Sequence, residues 1–335
     1  MSRKEFSSST SDPGLCFDSE PGCVYGVDMP RVIYNPVAGP KIFSKIDRIR
    51  VLLSERGIPF EIVETSGPGE AVLLARESAY ADAETVIAVG GDGTINEAAN
   101  GLAGSRTRLV VIPHGTGNAF AQEVGLPKSV EGCLNLLDEG KTIEILLARA
   151  EERYFVLLAS AGFDAEVLER MGHRQKNVLG IGAYVLSGMR HLLRSQPTLW
   201  MEFPDRERME AQAVIVCRGK KYGGGVTMAP DGNLEGNALQ VVALRKTGRW
   251  AIFRFAINAL LGKHASSSAV EIREAQSVLV RSRIPSAAQV DGDYLSPLPV
   301  RFEMTDVKLR IVVPSSYGAA LPVTPASRPD NGEER

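Results

Sequence analysis

The stretch Val86-Ile87-Ala88-Val89-Gly90-Gly91-Asp92-Gly93-Thr94-Ile95-Asn96-Glu97-Ala98 constrains the chain more than any other. Its first residues are apolar and β-prone, in a run short enough for a strand buried on both faces of a parallel sheet. Gly90, Gly91 and Gly93 then form a turn with no Cβ atoms, so a ligand can approach the backbone, and Thr94 or Asn96 is placed to begin a helix. A strand, a glycine turn and a helix N-terminus together make a phosphate site, because unpaired N–H groups and the positive end of the helix dipole face the turn. Asp92 would repel a phosphate directly, so its presence points to a divalent cation between carboxylate and phosphate oxygens. The alternative on this stretch alone is a tight turn in which Asp92 only caps the helix.

Two commoner nucleotide motifs are excluded. Gly140-Lys141-Thr142 has Asn135 where the first glycine of a Walker A loop belongs, and Asn96 occupies the third glycine position of a dinucleotide fingerprint.

A chain of 335 residues suits two domains, and 44% hydrophobic with 23% charged residues describes a globular protein able to bury a full core. A net charge of −2 gives no general attraction to nucleic acid. Cys16, Cys23, Cys133 and Cys217 lack metal-ligand spacing and read as reduced thiols of a cytoplasmic protein. No window reaches the roughly eighteen apolar residues of a transmembrane helix.

Residues 1–30 are rich in Ser, Gly, Pro and Asp and read as a disordered lead. Strands are expected at 31–34, 60–64, 86–89 and 109–112, with helices over 42–56 and from about 69 to 80. This alternation predicts an α/β domain over 31–145 with a doubly wound parallel sheet, its site formed by the loops at the strand C-terminal ends. After Gly140 short runs such as 154–159, 213–218, 239–244, 278–281 and 301–304 predict a second domain over 146–315, an antiparallel β-sandwich interrupted by helices at 179–193 and 249–261. The last strand is a candidate to return to the first domain, and 316–335 reads as a disordered tail.

Gly90-Gly91-Asp92-Gly93-Thr94 with Asn96-Glu97 and Asn100-Gly101-Leu102 resembles the signature of the diacylglycerol kinase catalytic domain family, which includes diacylglycerol kinases, sphingosine kinases and YegS-like bacterial lipid kinases. Further motifs follow in family order. They are Asn35-Pro36-Val37-Ala38-Gly39, the Thr65 loop, Pro113-His114-Gly115-Thr116-Gly117-Asn118, Gly162-Phe163-Asp164-Ala165, Tyr222-Gly223-Gly224-Gly225 with Ala229-Pro230, and Asp291-Gly292-Asp293.

The resemblance implies a lipid kinase that uses ATP and Mg²⁺ and meets its lipid as a cytoplasmic protein peripheral to the membrane. It leaves a homodimer open. Nucleotide contacts are implied for Asn35, Gly39, Thr65, Gly90, Gly91, Asp92, Gly93, Thr94, Ile95, Asn96, Glu97, Thr116 and Asn118. Catalytic roles are implied for Asp92 as metal orienter and Asp293 as base, where the family has Glu. The family's structural Mg²⁺ would fall on the carbonyls of Asn233 and Ala238, with Glu235 offering a carboxylate because Gly236 stands where the family has Asp. Ala119 likewise replaces an Asp found in many members. The rival readings are a NAD kinase-like enzyme, which shares only the first motif, and a non-catalytic nucleotide- or lipid-binding protein. His114 reads as a turn residue, and the 249–261 helix as one packed on a sheet rather than an interfacial one.

Overall fold

The computed structural model describes residues 29–162, 165, 198–223 and 225–318. The expected lead and tail, the 179–193 helix, Phe163, Asp164 and Gly224 lie outside them.

The first half alternates strand and helix: β1 (Arg31–Tyr34), α1 (Ile42–Glu55), β2 (Glu61–Glu64), α2 (Glu70–Tyr80), β3 (Thr85–Gly90), α3 (Asp92–Leu102), β4 (Arg108–Pro113), α4 (Ala119–Val124) and α5 (Val130–Glu139). The strands pair in parallel in the order β2-β1-β3-β4. Alternate side chains of each strand enter different layers. Ile33, Val86, Ala88, Leu109 and Val111 meet α2, α3 and α4, whereas Val32, Ile87, Val89, Val110 and Ile112 meet α1 and α5. Both faces are therefore covered, which is why β3 is buried throughout and reads as an unbroken apolar run.

The second half holds β5 (Lys141–Ala150), β6 (Arg153–Phe155), β7 (Leu158–Gly162), β8 (Leu199–Glu202), β9 (Arg208–Ala211), β10 (Ala213–Cys217), β11 (Lys221–Gly223), β12 (Val226–Thr227), β13 (Leu239–Leu244), α6 (Arg249–Leu260), β14 (Val270–Ala275), β15 (Ser277–Ser282), β16 (Ala287–Val290), β17 (Asp293–Pro297) and β18 (Val300–Val313). One antiparallel sheet runs β14-β13-β10-β7-β16-β17. Its inner face packs on β8, β15 and β18 through Leu199, Val214, Val216, Val241, Val278, Phe155 and Phe302, giving the sandwich core.

The 14-residue strand β18 ties the halves together. Its first part pairs with β15, most of its length pairs antiparallel with β5, and Arg310 and Ile311 pair in parallel with β4, so the nucleotide-type sheet continues into the sandwich. The run expected at 154–159 is in fact two strands, broken where the N–H groups of Val156 and Leu157 leave the ladder to reach a carboxylate of Asp291.

Candidate active site

The glycine turn meets α3 earlier than expected. The helix begins at Asp92, not at Thr94 or Asn96, because Gly91 is extended (φ −84°, ψ −177°) and its carbonyl accepts the first helical bond from the Ile95 N–H at 3.1 Å. The N–H groups of Asp92, Gly93 and Thr94 thus form the open first turn of an 11-residue helix at the C-terminal end of β3. Such an end favours an anion by roughly 0.3–1 kcal/mol, and by about 2 kcal/mol where partly buried.

The three glycines of the turn differ in what a side chain would meet. A Cβ on Gly90 would stand 2.6 Å from both Cβ and Oγ1 of Thr94, whose side chain fills the space beneath the turn. A Cβ on Gly91 would touch nothing closer than 3.8 Å, so this position is open toward the place a ligand would occupy. A Cβ on Gly93 would lie 3.4 Å from Asp293 Oδ2, which places that carboxylate over the first turn of α3.

The remaining expected loops converge here. Gly115 packs backbone to backbone on the turn, its would-be Cβ 3.0 Å from Gly91 Cα, and the His114 N–H donates to Gly90 O at 2.7 Å. Thr116 is exposed on this loop, and Asn118 (φ 44°) folds back with Nδ2 donating to Gly115 O at 2.8 Å. Gly39 lies beside the His114 ring, and Asn35 Oδ1 accepts the Val37 N–H at 3.0 Å to shape that turn. The buried Thr65 ends β2 on the same edge, its N–H bonded to Tyr34 O at 2.9 Å. Glu97 anchors the following loop by accepting the Gly69 N–H at 2.8 Å; burial, reinforced by the negative charge of Asp293, raises its pKa against the lowering effect of the Gly69 and Ala71 N–H groups.

Asp92 occupies the meeting point of two helix ends. It sits in the first turn of α3, and its Oδ1 accepts the Phe120 N–H of α4 at 3.2 Å, while Oδ2 faces Gly117, whose would-be Cβ is 3.1 Å away. Asn118 Oδ1, 3.1 Å from the would-be Cβ of Gly115, is buried without a hydrogen-bond partner among the described residues. A carboxylate and an orphaned amide oxygen suit a Mg²⁺ ion that brings phosphate oxygens and water as its other ligands. Ala119 is buried at the start of α4 and offers no oxygen from its side chain.

Two residues expected to contact the nucleotide have buried side chains. Ile95 is in the core, and Asn96 is only 2% exposed; both lie past the first turn, with their side chains turned inward. Asn96 Nδ2 instead donates to the Asp291 carboxylate and to Tyr154 O, and Asn100 exchanges hydrogen bonds with Tyr154 (Nδ2 to O and N–H to Oδ1, both 2.9 Å). These residues fasten α3 to the second half of the chain.

Asp291, present in the Asp291-Gly292-Asp293 motif but given no role by the sequence, and Arg153, which the sequence did not single out, hold Asp293 in place. Asp291 (φ 44°) and Gly292 (φ 88°) make the two-residue turn between β16 and β17. The Asp291 carboxylate takes the N–H groups of Val156 (2.8 Å), Leu157 (3.1 Å) and Leu158 (3.0 Å) as well as Asn96; burial outweighs these donors and pushes its pKa up to about 6. The turn thereby delivers Asp293 to α3, where Arg153 Nη2 of β6 meets Asp293 Oδ2 at 3.0 Å. Lys45 of α1 is a further cation at the rim, with Nζ on Pro113 O at 2.7 Å, its pKa lowered by burial. Burial and Lys45 also lower the pKa of His114, whose ring is engaged by the Gly39 and Pro40 carbonyls.

The loop expected to hold a structural metal lies over 233–238, between β12 and β13. The carbonyls of Asn233 and Ala238 are both taken by the Arg218 guanidinium, and Glu235 is exposed and directed toward Gly318. Among the described residues no group of three or more His, Cys, Asp or Glu side chains is placed to hold a metal ion.

Comparison with known proteins decides the family. The diacylglycerol kinase catalytic domain matches residues 30–150, and the YegS C-terminal NAD kinase beta sandwich-like domain matches 158–313. A diacylglycerol kinase of Bacillus subtilis is 31% identical over 299 residues, covering 87% of this chain and 98% of that protein. The chain belongs to the diacylglycerol kinase family. It is a lipid kinase of that family, with the expected α/β domain and β-sandwich. A diacylglycerol kinase of Staphylococcus haemolyticus is 28% identical over 81% of the chain and 84% of its own length. A diacylglycerol kinase crystal structure from Bacillus anthracis superposes with a TM-score of 0.66 at 20% identity, over 87% of this chain and 98% of that one, a likeness of fold.

Proposed function

We propose that the chain transfers the γ-phosphoryl group of ATP to the free hydroxyl of diacylglycerol or a lipid of similar build, at a membrane surface. The observation that carries this reading is the position of Asp293, brought by the sandwich domain to within van der Waals reach of Gly93 on the phosphate turn. The nucleotide phosphates would lie on the N–H groups of Asp92, Gly93 and Thr94, flanked by Thr116, with Gly39 and Thr65 on the same rim. Mg²⁺ carried in with ATP would be held by Asp92 and would neutralise charge on the phosphates.

Asp293 accepts the proton of the attacking lipid hydroxyl. Its carboxylate has the shorter side chain of the two acidic residues, so Arg153 matters: the ion pair fixes the carboxylate in the one direction from which it reaches α3.

The lipid is approached through α6. As expected, α6 packs on the antiparallel sheet, through Ile252 and Phe255 against Ala213, Leu244 and Val270, but its other side is open: Trp250 and Leu260 are 72% exposed and Leu261, just beyond, is 62% exposed. Arg249, Arg254 and Lys263 on and beside this apolar face complement anionic headgroups. Among the described residues no helix is long and apolar enough to cross a membrane, so contact would be from the surface.

The test is the Asp293 series assayed on diacylglycerol in anionic vesicles. Asp293→Asn should lower kcat by at least about a hundredfold with little change in KM for ATP, and Trp250→Ser with Leu260→Ser should lose vesicle co-sedimentation. Full turnover by Asp293→Asn removes the proposed base.

A further inference from the structure

Among the described residues Arg218 is the largest fully buried side chain, 1% exposed, one residue past the end of β10. Among the described residues no carboxylate pairs with it. Instead, backbone carbonyls converge on its guanidinium: Nη1 donates to Ala238 O (2.9 Å) and Asn233 O (3.4 Å), and Nη2 to Leu234 O (2.7 Å), Gly236 O (3.0 Å) and Leu146 O (3.0 Å). Buried charges are ordinarily matched by an opposite charge or by a metal. Here the match is a cage of carbonyl dipoles, the kind of oxygen set that hard divalent cations take.

The loop over 233–238 is shaped around this cation. The Asn233 side chain accepts the Glu235 N–H at 3.0 Å, and Gly236 N–H bonds Asn233 O at 3.0 Å, which turns successive carbonyls to one side. Gly236 has no carboxylate to add, and the adjacent Glu235 is exposed. A divalent ion would need the oxygens that the guanidinium already holds, and two cations cannot share them.

We infer that the Arg218 guanidinium is a built-in replacement for a divalent cation in this loop, so that the fold of the sandwich domain needs no metal there. The charge is retained at neutral pH, because burial lowers the Arg218 pKa only to about 10. The arrangement is connected to the rest of the molecule through the backbone. Arg218 N–H donates to Leu157 O at 2.7 Å, Leu157 N–H donates to Asp291 Oδ1 at 3.1 Å, and Asp291 receives Asn96 of α3.

The inference is independent of the lipid reading and is tested without turnover. The full chain carrying Asp92→Asn, free of nucleotide so that the phosphate turn holds no ion, is titrated with Mn²⁺ by electron paramagnetic resonance and melted in EDTA and in millimolar Mg²⁺. The expected result is no bound Mn²⁺ and the same melting temperature in both solutions. One Mn²⁺ per chain, or a melting temperature several degrees higher in Mg²⁺ and made insensitive by Glu235→Gln, overturns the inference. Arg218→Asn combined with Gly236→Asp should convert the loop, giving Mn²⁺ binding and a melting temperature that depends on Mg²⁺. Should that protein fail to fold, the Asp92→Asn measurement decides alone.

Discussion

Replacing Arg153 with Met isolates the orientation of the proposed base from its presence. Arg153 and Asp293 lie on different hairpins, their side chains 28% and 17% exposed, and meet at 3.0 Å. A partly exposed pair like this adds only about 0–1 kcal/mol to stability, so Arg153→Met should unfold within about 1 kcal/mol of wild type in urea. Catalysis is the sensitive quantity. Without the guanidinium the Asp293 carboxylate is free to rotate about its side-chain torsions, and a displacement of about 1 Å costs on the order of a hundredfold in rate, or about 2.7 kcal/mol in the barrier. Arg153→Lys keeps a charge but not the fork geometry, and should lose about tenfold. The assay is initial-rate lipid phosphorylation at saturating ATP, with KM for ATP read in parallel and expected to move less than about threefold. Wild-type kcat in Arg153→Met, or a loss confined to KM for ATP, would refute this reasoning.

Adjacent glycines should fail differently. Gly90→Ala forces a methyl to 2.6 Å from Thr94 and should cost about 1–3 kcal/mol of stability by overpacking, seen in urea unfolding. Gly91→Ala meets nothing within 3.8 Å, so it should fold normally yet lose ATP affinity measured by calorimetry. Asp291 carries a pH signature. Burial raises its folded pKa to about 6, so its contribution is fully present below the unfolded value near 4 and is lost as pH rises through about 6. Wild type should therefore lose up to about 3 kcal/mol between about pH 4 and 7 relative to Asp291→Asn in urea titrations.

The parallel half was legible because its strands are apolar on both faces and its helices carry a 3.6-residue stripe; α1 ends at Glu55 where 42–56 was expected. The glycine turn was legible because phosphate-type chemistry requires absent side chains in a short window. Less was visible in the second half. Only 301–304 of β18 was read as a strand, since Glu303, Asp306, Lys308 and Arg310 interrupt its apolar residues; their partners across the sheet and at its edges, such as Glu144 for Lys308, come from distant sequence. Asp291 stood in a motif without a role, and what it does depends on N–H groups 133 to 135 residues away. The burial of Ile95 and Asn96 was not legible because it depends on the helix starting at Asp92, which turns them inward. Gly236 in place of an acidic residue was a visible signal that the metal loop had changed, but Arg218, at the end of an apolar strand, resembles an ordinary strand-ending charge until the carbonyls around it are seen.

The most direct measurement is phosphate transfer itself. Purified protein is given ATP labelled in the γ-phosphate, Mg²⁺, NAD and diacylglycerol in anionic vesicles, and the products are partitioned between water and organic solvent. The account predicts label in an organic-phase lipid phosphate, dependent on diacylglycerol and lost in Asp92→Asn and Asp293→Asn. Label on NAD, or organic-phase label undiminished in both variants, would contradict it.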